Sequence, residues 1–166
     1  MAARLGVMTR VEVDRLRLTS FNCTQAGCPD SEGVQDVIRY TLGELLRSSP
    51  AAFVVAAVDG STPAAIGVVV PTPIPLTMHL PVLAVQNAWT GRGLGRAIKI
   101  ECALEARARG STRLISSVHR DTAAMRHIND ALPGVESEPE IGTAGIFYSV
   151  DLTDPGWAQF DRPSEA

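Results

Sequence analysis

Six residues, Thr90-Gly91-Arg92-Gly93-Leu94-Gly95, constrain the fold of this chain more than any others, because they join an apolar run to a strongly helical stretch. Upstream, Leu80-Pro81-Val82-Leu83-Ala84-Val85 has the length and branched residues of a strand. Downstream, from about Arg92 to Arg109, apolar Leu94, Ala97, Ile98, Cys102 and Ala106 recur at three- and four-residue spacings, the stripe of an amphipathic helix. The glycines therefore occupy a strand-to-helix turn. Glycine accepts positive φ there and lets a ligand approach the main chain. The first N–H groups of the helix have no intrahelical acceptor and point out of the positive end of its dipole. A phosphate or pyrophosphate suits such a turn.

Two common nucleotide motifs do not fit. The dinucleotide fingerprint G-x-G-x-x-G needs glycine where Arg96 or Ile98 stands, and an acidic residue about twenty positions on, where Ser111 and Thr112 stand. The P-loop needs a Gly-Lys pair, which occurs nowhere in the chain.

The 166 residues are 45% hydrophobic, enough for one domain with a substantial core. A net charge of −3 gives no reason to expect a nucleic-acid or anionic-membrane surface. No apolar run reaches bilayer length and the start MAARLGVMTR lacks a signal-peptide core, so a cytoplasmic location is expected. Cys23, Cys28 and Cys102 lack metal-ligand spacing, and no His cluster completes a zinc set, so no metal is expected. Cys102, on the apolar stripe, reads as a packing residue. A disulfide between Cys23 and Cys28 is disfavoured in a reducing compartment.

The remaining order is β, α, β, β, β, α, β, α, β. A strand begins at Val11-Glu12-Val13-Asp14 and continues toward Leu18, followed by a loop from Ser20 to Asp30. Val34, Val37, Ile38, Leu42, Leu45 and Leu46 mark one face of a helix capped by Asp30 or Ser31. Phe53–Val58 and Ala64–Val70 read as a hairpin with a loop of about five residues, and three prolines stiffen the connection from Pro71 to Thr77. Arg113–Val118 then completes a right-handed β-α-β unit with the strand ending at Val85. A helix with Asp121 as N-cap carries Ala124, Met125, Ile128, Ala131 and Leu132 on one face and ends at Pro133-Gly134. Ala144–Leu152 forms a closing strand. Residues 1–153 are thus expected to make one domain, and 154–166 a polar tail.

Around the glycines, Leu83 to Ile98 resembles the acyl-CoA-binding motif of the GNAT (Gcn5-related) N-acetyltransferase superfamily, usually written Q/R-x-x-G-x-G/A. Gly93 and Gly95 match its small positions, Thr90 stands where Gln or Arg is usual, Trp89 supplies the common preceding aromatic, and Asn87 stands in place of a frequent proline. A second stretch, Thr122 to Asn129, resembles the N-x-x-M-x-x-I-N form of the helix after the fifth strand. Met125, Ile128 and Asn129 match, with Thr122 in place of Asn. Together with the order of elements, the resemblance covers most of the chain.

It implies an α/β mixed sheet, mostly antiparallel at its N-terminal side, with parallel fourth and fifth strands that splay apart. Acetyl-CoA is then the co-substrate and no metal is required. The pantetheine arm would pair with the main chain of Leu83, Ala84 and Val85, helped by the Thr122 hydroxyl. The pyrophosphate would lie on the N–H groups of Gly91, Arg92, Gly93, Leu94, Gly95 and Arg96, with charge from Arg92 and Arg96. Acetyl transfer needs a neutral amine and a polarised carbonyl, the latter from a strand N–H near Val85. Many relatives protonate the leaving thiolate with a Tyr at the position of Asn129.

His79 and His119 are the candidates for proton removal. Glu101 and Glu105 read as helix-surface residues, Glu105 standing four residues before Arg109. Tyr148 reads as packing with a chance of lining the acceptor pocket, and Glu136, Glu138 and Glu140 read as a solvated loop that could attract a cation. Two function classes follow: an N-acetyltransferase acting on a small-molecule or peptide amine by direct attack, or a catalytically weak acyl-CoA-binding regulatory module. The apolar last strand allows a homodimer.

Overall fold

The computed structural model describes residues 3–16, 40, 43 and 46–161. The expected loop from Ser20 to Asp30, with Cys23 and Cys28, and nearly all of the expected first helix lie outside the described residues. Of that helix only Tyr40, Gly43 and a helical segment at Leu46–Ser48 fall within them.

Seven strands form one sheet: β1 (Arg4–Val7), β2 (Phe53–Asp59), β3 (Thr62–Pro71), β4 (Thr77–Val85), β5 (Arg113–His119), β6 (Val135–Pro139) and β7 (Gly145–Asp151). Their spatial order is β1-β2-β3-β4-β5-β7-β6, and every pair is antiparallel except β4 with β5. This is the expected mixed sheet with a parallel central unit. Residues Phe53–Val58 and Pro63–Val70 are buried on both faces, which explains why β2 and β3 read as unbroken apolar runs. On one face Val55, Ala57, Ala65 and Val69 pack beneath α2 (Leu94–Ala108). On the other, Val54, Ala56, Ile66, Val68, Val82 and Ala84 form a second apolar layer, met by Met8, Val13 and Leu16.

The N-terminal expectation is overturned. Val11–Asp14 is not a strand but part of a short helix, α1 (Arg10–Asp14), and the first strand lies earlier, at Arg4–Val7. A capping box decides it: Glu12 N–H donates to Thr9 Oγ1 at 3.2 Å, and Thr9 N–H donates back to Glu12 Oε2 at 2.9 Å. Arg4 also bonds Glu12, and with the Thr9 bonds it lowers the carboxyl pKa to about 2.

Three other boundaries shift. The first hairpin turns on Gly60-Ser61, with Asp59 facing Thr62, because Pro63 is absorbed into β3 at an irregularity rather than left in a five-residue loop. The helix after β5, α3 (Ala123–Asp130), has Thr122 rather than Asp121 at its N-cap, and its buried residue is Asn129, while Ala124 is exposed. The closing strand β7 lies inside the sheet, between β5 and β6, so it offers no free edge to a second copy; β6, the edge, has four of its five residues exposed. Past the expected domain boundary, Pro155–Phe160 is a 3-10 helix whose Trp157 is fully buried and donates its indole N–H to Asp151 C=O at 2.9 Å.

Candidate functional site

β4 and β5 pair only at their starts: Thr77 with Arg113, Met78 with Leu114, His79 with Ile115. Beyond that point β4 runs on to Val85 and β5 to His119, and among the described residues no strand pairs with the facing edge of β4. A bulge marks the parting. Val68 faces Val82 while Val70 faces His79, so β4 carries an extra residue there, and exposed Pro81 lies in it. Proline lacks an N–H, and a bulge beside a lapsed ladder is where a strand tolerates it. Gln86 N–H donates to Ala64 C=O of β3 at 2.8 Å. Amide directions alternate along a strand, so Ala84 N–H faces β3 and those of Val85 and Leu83 face the slot.

The slot opens onto the glycine turn. A 3-10 turn at Asn87–Trp89 leads to Thr90, whose hydroxyl donates to Asn87 C=O at 2.8 Å. Gly91 and Gly93 have φ of +75° and +78°, the left-handed region, and a Cβ built at either would meet nothing within 4 Å. Backbone conformation, not crowding, demands glycine at both. The first intrahelical bond of α2 is Ala97 N–H to Gly93 C=O at 3.0 Å, so Leu94, Gly95 and Arg96 present N–H groups ahead of the ladder. The first turn of α2 carries no acidic residue. The Arg92 guanidinium stacks on Trp89 at 4.8 Å, within the turn, and that of Arg96 lies 5.9 Å from the Phe160 ring. Gly95 serves packing instead: it is buried, and a Cβ there would lie 3.4 Å from Ile128 of α3 and 3.5 Å from Val85.

Where the slot closes, side chains take over. Lys99 of α2 is 1% exposed, and its Nζ donates to Ser116 Oγ of β5 at 2.8 Å. Ser116 stands one residue past the last β4–β5 pair. Burial lowers the Lys99 pKa to about 8. Neighbouring Cys102, one turn along the helix, has its thiol pushed up to about 12 by burial, against the pull of the Lys99 charge. His79 is half-buried, and burial together with the Lys99 charge favours its neutral form. Sequence reasoning missed Lys99. Its signal is positional, since it stands three and four residues before Cys102 and Ala103, on the buried stripe.

The two histidines are not brought together. His119 lies four residues beyond Ile115, about 13 Å along β5. Its Nδ1 accepts from Asp121 N–H at 3.3 Å. Asn129 is fully buried; its Nδ2 donates to Met125 C=O at 2.7 Å, and among the described residues its Oδ1 has no hydrogen-bond partner. Tyr148 is buried and donates to Asp130 at 3.1 Å, and burial with that carboxylate raises its pKa. Glu105 pairs with Arg109 at 2.7 Å as the spacing predicts.

On the sheet face away from α2, Glu136 and Glu138 of β6 line a depression of about 280 Å³ with Thr77, Ile115 and Phe147. His79 alternates with Met78 and Leu80 of the α2-side core, so it shares this face with Thr77. The acidic residues thus belong partly to an edge strand, not to a loop. Glu140 is committed to Ser117 and Thr143, whose hydrogen bonds lower its pKa. Among the described residues no group of three His, Cys, Asp or Glu side chains stands close enough to hold a metal, and no helix is long and apolar enough to cross a membrane.

No protein-family model matches the sequence, and no curated protein matches it. Solved structures do. A GNAT-family acetyltransferase from Desulfovibrio desulfuricans is 22% identical with a TM-score of 0.68, covering 92% of this chain and 100% of its own. The PaiA N-acetyltransferase from Thermoplasma acidophilum, solved with coenzyme A, is 16% identical with a TM-score of 0.65, over 91% and 99% of the two chains. The ribosomal-protein-S18-alanine N-acetyltransferase from Escherichia coli is 14% identical with a TM-score of 0.62, over 100% and 99%. With its parallel β4–β5 pair parting toward the glycine turn, the chain has the fold of the GNAT acetyltransferases.

Proposed function

We propose that the chain is an acyl-CoA-dependent N-acetyltransferase that moves acetyl from acetyl-CoA to an amine by direct attack. One observation carries the reading: among the described residues the edge of β4 beyond His79 is unpaired, and it leads straight into a turn of helix N–H groups ahead of the ladder, with Arg92 in that turn. A pyrophosphate on Gly91–Arg96 and a pantetheine arm along Leu83, Ala84 and Val85 would use both. Val85 and Leu83 N–H groups, facing the slot, are the donors for the arm and for the thioester carbonyl. Thr122, at the N-cap of α3, would steady the arm.

The acceptor approaches from the face of His79. Its neutral form can take a proton from an ammonium, and Glu136 and Glu138 draw a cation toward that face. His119, 13 Å or so away along β5, acts at most on the wider approach. The acceptor is thus read as a basic small-molecule or peptide amine, and the location as the cytoplasm. Thr90 and Asn129 favour a second reading, a catalytically weak acyl-CoA-binding module: Thr90 spends its hydroxyl on Asn87, and Asn129 has no acidic proton to give.

Acetyl-CoA at a hundred times its Kd is expected to stabilise the protein by about 2.7 kcal/mol, a rise in Tm of ~5–11 °C. No rise over a concentration series would exclude both readings. Thiol release with a panel of amines separates them: amine-dependent release supports the transferase, binding without it the module.

A further inference from the structure

Lys99 is a cation where a GNAT-like helix buries its apolar stripe, and nothing in the expected site uses it. It is 1% exposed and lies among Ile98, Cys102 and Ala103. An ammonium carries three N–H donors, and Ser116 Oγ takes one at 2.8 Å. Among the described residues Lys99 has no ion-pair partner. A buried, unpaired cation is costly, and an apolar side chain of similar volume would fill the same space without that cost. Its place is the base of the slot: Ser116 is the first β5 residue beyond the closed ladder, and the Lys99 charge is felt by His79, the last paired residue of β4. An acyl chain laid along β4 from the glycine turn would run toward it.

We propose that Lys99, held by Ser116, is the proton-carrying group of the transfer site, donating to the sulfur as the thioester breaks. This rests on the acyltransferase reading. The acceptor nitrogen's lone pair forms the N–C bond, and the C–S bond breaks with its electron pair going to sulfur. The sulfur takes a proton from the Lys99 ammonium. The proton shed by the acceptor nitrogen restores that ammonium, so no other reactant is consumed. The assignment supplies the acid that Asn129 cannot.

The surrounding groups leave Lys99 as the group able to titrate in this role. Cys102 from α2 is held as a thiol and His79 from β4 is pushed toward neutrality. Ser116 from β5 is uncharged, and Tyr148 from β7 is tied to Asp130, with Arg126 nearby. A group present as both ammonium and amine near neutral pH suits giving and regaining a proton.

The test uses the full chain, wild type and Lys99→Met, with Ser116→Ala as a second variant. Acetyl-CoA affinity is measured by calorimetry, single-turnover CoA release is followed with an amine already neutral at neutral pH, and the thiol of bound CoA is titrated by its thiolate absorbance. Lys99→Met is expected to bind acetyl-CoA within a few-fold of wild type but transfer ~100-fold more slowly. Wild type is expected to lose rate as pH rises through the Lys99 titration and to hold the bound thiol at a lower pKa than free CoA. Lys99→Met should lack both features, and Ser116→Ala should weaken them.

A folded Lys99→Met that keeps the wild-type rate, pH profile and thiol pKa overturns the assignment. If that variant does not fold, the same behaviour in Ser116→Ala overturns it. Wild type binding no acetyl-CoA removes the acyltransferase reading and this assignment together, whereas binding and transfer unaffected by either variant remove the assignment alone.

Discussion

The slot between β4 and β5 has two ends built from different materials. Its mouth is main chain: Gly91 and Gly93 at positive φ, and the helix N–H groups that follow them. Its base is side chain: Lys99 of α2 hydrogen-bonded to Ser116 of β5 on one face of the sheet, with His79 of β4 on the other, within reach of the Lys99 charge. A site made of backbone depends on a few local conformations and is indifferent to most side chains. One made of side chains depends on three elements packing in register. Substitution should therefore act on binding at the mouth and on proton chemistry at the base.

The largest effect is expected at the mouth. Gly93→Asp places a carboxylate where the turn's N–H groups and Arg92 await an anion, and like charges set against each other cost several kcal/mol, ~100-fold or more in Kd. Asp visits the left-handed region more readily than most residues, so the fold should survive. Calorimetry with CoA checks it, and undiminished binding would remove the turn from the site.

The mouth was legible in the sequence because its requirements are local. Glycines at 91, 93 and 95 fall between a strand and a helix that announce themselves by length and period. The base was not, because Lys99 stands next to Ile98 and reads as a solvated residue until the helix is rotated onto the sheet. Edge strand β6 was missed for a related reason: Glu136-Ser137-Glu138 has no apolar alternation, and only pairing with β7 makes it a strand. At the N-terminus, the Val11/Val13 alternation competed with the Thr9-x-x-Glu12 capping box, and the reciprocal hydrogen bonds prevailed.

Stability against pH sharpens the contrast from the other end. The Lys99 pKa is about 8 in the folded chain against 10.5 for an unperturbed lysine, so between these values the unfolded chain binds more protons and stability rises with pH. The rise is worth up to about 3 kcal/mol. Cys102 works in the opposite sense: its thiol titrates at about 12 when folded against 9.0, so its contribution falls above pH 9.0. Comparing wild type with Lys99→Met cancels most of the cysteine term. The variant should be the more stable below pH 8, where wild type buries a full cation, and its advantage should shrink toward pH 10.5. Urea unfolding at fixed temperature across that range measures it. An advantage that does not change with pH would mean that the Lys99 ammonium is solvated in the native state.

The smallest effect separates two neighbouring glycines that look alike in sequence. Gly93→Ala puts a Cβ on a residue at φ +78°, a conformation costing an L-residue ~1–2 kcal/mol even though open space surrounds it. Gly95→Ala lies within α2, where alanine is preferred over glycine by up to about 1 kcal/mol. Its Cβ would meet Ile128 at 3.4 Å and Val85 at 3.5 Å, ordinary contact at the limit of what the packing accepts. The gain and the crowding nearly offset, so Gly95→Ala should change stability by no more than ~0.5 kcal/mol. Because its N–H stays in place, CoA affinity should stay with it, whereas Gly93→Ala should lose affinity as well as stability through its effect on the turn. Paired unfolding and CoA titrations of the two variants decide the matter. Equal costs at both positions would mean that the mouth is set by packing around the helix start rather than by left-handed backbone, and the division between a main-chain mouth and a side-chain base would fail at its clearest point.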